Sequence, residues 1–293
     1  MTVDRKWRAP QSEFLVSFDG SFRIDAAPTA PSGDIDKAAL KTARKDHTLE
    51  IYELQRKLYA DNRYAVLFVF QAMDAGGKDG TIRNVFTGVN PAGFQVSSFK
   101  APSDEELDHD FLWRVAQQLP ERGRIGVFNR SHYEEVLVVR VHPEFLEGQR
   151  LPNADLDAIW GERFESIRNF EKHLAENGTI IVKFFLNVSF EQQTQRLLRR
   201  IDKPSRNWKF NSGDVKERER WPDYMRAFED ALNETSRPWA PWYAIPADNK
   251  PYMRLQVARI VQETLESLGV DFPKIDEAAR HALAGCREVL ERQ

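Results

Sequence analysis

"FQAMDAGGKDGTIRNVF" (residues 70–86) carries an apolar run into a helically spaced segment through three closely set glycines. A glycine loop between a buried strand and a helix is where backbone N–H groups and a helix N-terminus receive phosphate. The usual pattern is Gly, four residues, then Gly-Lys-[Ser/Thr]. Here Gly77-Lys78 keeps the end of the pattern, Ala72 stands at the first glycine position, and Asp79 replaces the hydroxyl. The expected cradle is Ala75, Gly76, Gly77, Lys78, Asp79, Gly80 and Thr81, with Lys78 as the cation that follows a transferring phosphoryl group. Asp74 faces the phosphates in this register. A bare carboxylate beside phosphate oxygens is repulsive, so Asp74 implies a divalent cation, Mg2+ or alternatively Mn2+. Asp79 has two readings, a metal-side acid or a residue that caps the helix or faces solvent.

Outward from the loop, strands and helices alternate. "YAVLFVF" (64–70), "FQVSSF" (94–99), "RIGVFNR" (124–130), "TIIVKFFLNV" (179–188) and "WYAIPA" (242–247) have the character of strands. Helical spacing is expected over 37–62, 78–89, 104–119, 154–176, 189–201, 221–235, 251–268 and 275–292. Mostly apolar strands alternating with helices imply an α/β fold, a parallel sheet of about five strands covered on both faces. Residues 1–38 lack periodicity and are expected to form an extended or loosely packed arm, leaving 39–293 as one domain with a lid at about 196–222.

The chain has 293 residues, 41% hydrophobic and 30% charged, the composition of a soluble globular protein. No apolar run approaches the roughly 18 residues that span a bilayer, and the N-terminus lacks the apolar stretch of a signal peptide. The expected location is cytoplasmic, without a membrane partner. Cys286 is the only cysteine, which excludes an internal disulfide and a Cys-based zinc site. The net charge of −3 argues against a general nucleic-acid binder. The stretch 196–220 nevertheless holds about twice as many basic as acidic residues, so its partner is anionic. Arg196, Arg199 and Arg200 share a helical side, followed by Lys203, Arg206 and Lys209. A solvated basic helix is the plain alternative to a cationic cover that excludes water during transfer.

"GVFNRSHYEEVLVVRVH" (126–142) is the second informative stretch. An acid at the end of a neighbouring strand holds magnesium in many phosphate-loop proteins, and that position here is Asn129, a neutral oxygen donor. Arg130 and Arg140 suit bidentate phosphate contact, or else pair with Glu134 and Glu135 in surface salt bridges.

Five stretches together, "QAMDAGGKDGTIRNVF", "NPAGFQVSSFKAPSDEELDHDFLWR", "GVFNRSHYEEVLVVRVH", "NWKFNSGDVKERERW" and "PWYAIPADNKPYMR", resemble the polyphosphate kinase 2 family from about residue 45 to 270. The resemblance implies a fold similar to thymidylate kinases and phosphoryl transfer from inorganic polyphosphate to ADP or AMP, with ATP as product and magnesium as cofactor. It assigns Asp74, Lys78, Arg130 and Arg140 to catalysis, and Asp74 with Asn129 to the metal. Many members carry Asp where this chain has Asn129, a departure that argues against a two-carboxylate metal site. Arg83, Lys100, Arg199, Arg200 and Lys209 become candidates for a polyphosphate track. The "NRSHYEEVLV" version resembles the AMP/ADP-phosphorylating class III subgroup, where Glu134 occupies the position that differs between subgroups. A homo-oligomer, dimer or tetramer, is the expected assembly. The competing functions are an ATP-dependent nucleoside monophosphate kinase, which needs a hydroxyl where Asp79 stands, and a non-catalytic nucleotide- or polyphosphate-binding protein.

Overall fold

The run of Val, Leu and Phe in β1 (Ala65–Gln71) buries all seven of its residues, as a strand covered on both faces must. The computed structural model describes residues 7–33, 35–152 and 155–292. Four further strands follow: β2 (Phe94–Ser98), β3 (Ile125–Asn129), β4 (Thr179–Asn187) and β5 (Trp242–Pro246). They form one parallel sheet in the order β2-β3-β1-β4-β5, with β1 at its centre. The chain leaves β1 towards β2 and β3 on one side and reaches β4 and β5 on the other. In open α/β sheets that reversal point, at the carboxyl ends of the strands, is where a ligand crevice forms.

The long helices are α1 (Lys37–Asp61), α2 (Lys78–Val85), α6 (Ile159–Glu176), α7 (Phe190–Asp202), α9 (Trp221–Thr235), α10 (Lys250–Glu266) and α11 (Glu277–Glu291). Short helices α3 (Asp104–Leu107), α4 (Trp113–Ala116), α5 (Val138–Val141) and α8 (Gly213–Glu217) lie between them. α1, α2 and α10 pack together, and α5 and α6 pack against α9. The parallel α/β architecture expected from the strand pattern is present.

One expected helix is broken. The span 104–119 forms α3 and α4, separated at Asp108–Leu112. Ser103 and Glu106 make a capping box at the start of α3, and Asp110 accepts from the Leu112 N–H at 2.9 Å. A side chain that offers the backbone a local partner ends one helix and starts another. The start of the expected helix at residue 154 lies outside the described residues, as do residues 1–6 and 34 of the arm. The described arm alternates turns with a short stretch laid along β5: the Val16 N–H donates to the Trp242 carbonyl at 2.9 Å, and the Ala244 N–H to the Phe14 carbonyl at 2.8 Å. Phe14 and Val16 are buried in the main core.

Candidate active site

The loop between β1 and α2 is shaped by two left-handed residues, Ala75 (φ 59°) and Gly77 (φ 112°). Gly77 needs the freedom that only glycine has at little cost. Gly76 is required by space, since a Cβ there would sit 2.6 Å from the Ala72 Cβ and 2.7 Å from the Met73 carbonyl oxygen. Ala72 is not among the left-handed residues, so its position does not need glycine. α7 braces the outside of the loop. Gln193 Nε2 donates to the Asp74 carbonyl at 2.8 Å, and Arg196 Nη1 donates to the carbonyls of Ala75 at 3.1 Å and Gly76 at 2.7 Å.

Lys78 opens α2, is buried, and its Nζ donates to the Ala72 carbonyl at 2.7 Å. Burial, reinforced by the nearby Arg130 guanidinium, brings its pKa down to about 8 against the pull of Asp74, Glu134 and Asp79. Thr81 Oγ1 donates to the Gly77 carbonyl at 3.0 Å and is wholly buried, so it closes the first helical turn rather than the cradle.

Arg130 follows β3 in a left-handed conformation (φ 63°). Its Nη2 lies 2.6 Å from Asp74 Oδ1 and its Nη1 2.9 Å from Glu134 Oε2, so one guanidinium joins both carboxylates. The salt-bridge reading of Arg130 therefore holds for Glu134, but the pair faces the crevice. Asp79 is exposed yet borders the crevice: its Oδ1 accepts from Asn129 Nδ2 at 2.8 Å, and Lys209 Nζ stands 3.6 Å from its Oδ2. Burial works against ionisation of Asp79, but Asn129 and Lys209 outweigh it and hold its pKa below the usual range.

These groups line a cavity of about 590 Å3 at the carboxyl ends of the strands. Eleven Lys or Arg side chains and two carboxylates border it. The sequence candidates Arg83, Lys100, Arg199, Arg200 and Lys209 all reach it. Arg140 does not; its Nη2 bonds Asp230 Oδ2 at 2.6 Å, and its guanidinium lies over Phe164. Four further cations border the cavity: Arg196 and Arg206, which the sequence placed in the cationic cover, and Lys250 and Arg254, which had no assignment from sequence. The signal for two of them was Asn249, which caps α10 just after β5 and so sets Lys250 and Arg254 at a strand's carboxyl end. Burial first, then Arg196, Arg254, Arg206 and Arg199, push the pKa of Lys250 down to about 8. Eleven cations beside two carboxylates on one wall leave a net positive charge, which a polyanion between them would relieve.

A second cavity of about 730 Å3 adjoins the first. Phe99, Lys100 and Arg130 border both. Its walls add Phe111, Val138, Val139, Phe145 and Glu134, the last paired with the shared Arg130. Among the described residues no group of three or more His, Cys, Asp or Glu side chains could hold a metal alone. Asp74 and Asn129 instead offer a sparse oxygen set, which fits a magnesium ion that takes most of its ligands from phosphate and water.

A family model described as Polyphosphate kinase 2 matches residues 34–273. A protein of Rhodopseudomonas palustris named ADP-polyphosphate phosphotransferase is 55% identical over 81% of this chain and 83% of its own. A Meiothermus ruber protein named AMP/ADP-polyphosphate phosphotransferase is 46% identical over 91% of this chain and 97% of its own. The crystal structure of polyphosphate kinase 2 from Arthrobacter aurescens TC1 superposes with a TM-score of 0.85 at 38% identity, covering 96% of this chain and 98% of that one.

Proposed function

This chain belongs to the polyphosphate kinase 2 family, and we propose that its cation-lined cavity moves a phosphoryl group between inorganic polyphosphate and a nucleotide. It is a phosphotransferase, and ADP and AMP are the proposed acceptors. The observation that carries this reading is a cavity bordered by a glycine loop and eleven cations, joined through Arg130 to a second, more apolar cavity. A polyphosphate chain fits the first, because successive phosphates need successive cations. A base and ribose fit the second, with the nucleotide's terminal phosphate directed to the shared rim.

An oxygen of that terminal phosphate attacks the last phosphorus of the polymer. The bond to the next bridging oxygen breaks, and polyphosphate leaves one unit shorter. Lys78 and Arg130 would spread the charge of the transferring group, a task of position and electrostatics rather than covalent chemistry. Asp74 and Asn129 would hold the magnesium, whose charge neutralises phosphate oxygens. Arg140 is proposed to act indirectly, by fixing α5 to α9 through Asp230. The segment 196–222 is proposed as a lid over the bound phosphates, supported by Arg199, Arg200, Arg206 and Lys209 on the cavity wall.

Glu134 is proposed to influence the choice between AMP and ADP, since it both holds Arg130 and borders the second cavity. The cytoplasm is the proposed compartment, and the unpaired Cys286 suits a reducing one. A homo-oligomer is proposed on the exposed Leu283, Val289 and Leu290 of α11. The decisive assay supplies polyphosphate and magnesium with ADP or AMP, without ATP. New ATP from ADP, and new ADP from AMP, are the expected products. No phosphorylated nucleotide in either reaction overturns the reading.

A further inference from the structure

β4 carries a lysine at the heart of the molecule. Lys183 has no exposed surface, and its three donors are all taken: Glu171 Oε2 at 2.5 Å, the Tyr133 hydroxyl at 2.8 Å and the Thr235 carbonyl at 2.9 Å. Glu171 is on α6, Thr235 on α9, and Tyr133 lies in the turn that follows β3. The Tyr133 hydroxyl also lies 2.8 Å from Glu171 Oε1 and 2.9 Å from Thr235 Oγ1. Its ring meets Trp242 edge to face, with centroids 4.7 Å apart.

Such a buried ion pair adds little stability compared with apolar residues of similar volume, so its presence calls for another role. The turn it holds suggests which. In Arg130–Glu134 the side chains divide between two environments. Arg130 and Glu134 border the second cavity, while Tyr133 enters the core. Ser131 ties the inner side of the turn, its Oγ accepting from the Tyr133 N–H at 3.1 Å and from Gln71 Nε2 at 3.2 Å. Arg130 itself sits in a left-handed conformation, with its N–H donating to the Phe70 carbonyl. Left-handed backbone at a non-glycine residue persists only where its surroundings hold it. Tyr133, three residues on and one before Glu134, carries the turn's hydrogen bonds to Lys183, Glu171 and Thr235, beside the buried Ser131 and His132.

We infer that the buried Lys183–Glu171–Tyr133 network is a positioning device for the Arg130–Glu134 pair of the transfer site. None of the three is a catalytic residue, because Lys183 and Glu171 border neither cavity and Tyr133 is wholly buried. They act through the turn. This rests on the proposed phosphotransfer at the same site, and the wild-type assay separates the two ideas. Wild-type protein that makes no ATP from ADP and polyphosphate fails the functional reading; the remaining outcomes concern the network alone.

The test compares wild type, Tyr133→Phe, Glu134→Gln and the combined Tyr133→Phe/Glu134→Gln variant. Steady-state kcat and KM are measured for ADP and polyphosphate, with thermal melting as the measure of folding. Tyr133→Phe removes one oxygen and keeps the ring packed. It is expected to lower kcat about tenfold with KM for both substrates within about twofold. In the Glu134→Gln background the same change is expected to cost less than about twofold, since the two residues act through one element. A second variant, Lys183→Met/Glu171→Leu, replaces the ion pair by apolar side chains and is expected to melt near wild type while losing kcat to a similar degree. Undiminished kcat in Tyr133→Phe overturns the inference. So does a full tenfold loss repeated in the Glu134→Gln background, because a merely structural defect would multiply with it. Should Lys183→Met/Glu171→Leu fail to fold, the Tyr133→Phe cycle decides alone.

Discussion

Lys78 is buried and still borders the cavity proposed to take polyphosphate. Burial and the Arg130 guanidinium bring its pKa to about 8, well below the ordinary lysine value. The free enzyme therefore loses this cation as pH rises through about 8, whereas bound phosphate would hold the proton on. kcat/KM for polyphosphate is expected to fall above pH ~8, with kcat falling only at higher pH, a difference readable in pH–rate profiles. The stability effect has the opposite sign. Between about 8 and the unfolded value near 10.5 the unfolded chain binds the extra proton, so this residue makes folding more favourable as pH rises across that window. Lys78→Ala is expected to lower kcat by about 10²–10³ without loss of fold, tested by turnover and circular dichroism together. The neighbouring residues explain the irregular loop pattern. Ala72 is tolerated because the left-handed positions are Ala75 and Gly77, and Gly76 is held small by Ala72 itself.

Helices α7 and α10 complete what the β1–α2 unit begins. α2 brings Lys78 and Arg83, α7 brings Arg196, Arg199 and Arg200, and the start of α10 brings Lys250 and Arg254. Arg196 does so from an unusual position, with its guanidinium also donating to the carbonyls of Ala247 and Asp248 before α10. It thus ties the loop after β1 to the loop after β5. Combined Lys250→Ala/Arg254→Ala substitution is expected to raise KM for polyphosphate about tenfold and to weaken its dependence on salt, measured at two ionic strengths. kcat at saturating polyphosphate should change much less, because on the proposed reading these side chains would lie along the polymer rather than at Lys78. Periodicity located these helices to within a few residues, with Trp221–Thr235 recovered in full. It failed over 104–119, where Asp110 offers a backbone partner that hydrophobic spacing does not register.

The molecule as a whole separates stability from chemistry. The arm runs beside β5, with Leu15 bridged antiparallel to Tyr243 and the Tyr243 hydroxyl donating to the Pro10 carbonyl. It covers a sheet edge that would otherwise present unpaired backbone groups. Phe14 is buried there, far in character from the cationic crevice. Phe14→Ala is expected to cost about 3 kcal/mol of stability with kcat unchanged, tested by denaturant unfolding and turnover. At the other edge β2 leaves Val96 exposed, and α11 buries none of its side chains. Light scattering is expected to report more than one copy per particle; a monomer at micromolar concentration would remove the proposed assembly.

What the sequence determined alone was local: an apolar strand, a glycine loop, a lysine and a helix are contiguous, and short-range backbone preferences suffice to place them. The strand-end motif Asn129–Arg130 was legible for the same reason, as was the basic stretch 196–220. The tertiary structure decided which charges meet. It turned Asp79 to Asn129, joined Arg130 to both Asp74 and Glu134, sent Arg140 to Asp230, and added Lys250 and Arg254 to the cavity wall. Coulomb forces and packing depend on distance in space, and only the order of strands in the sheet sets which distant residues become neighbours.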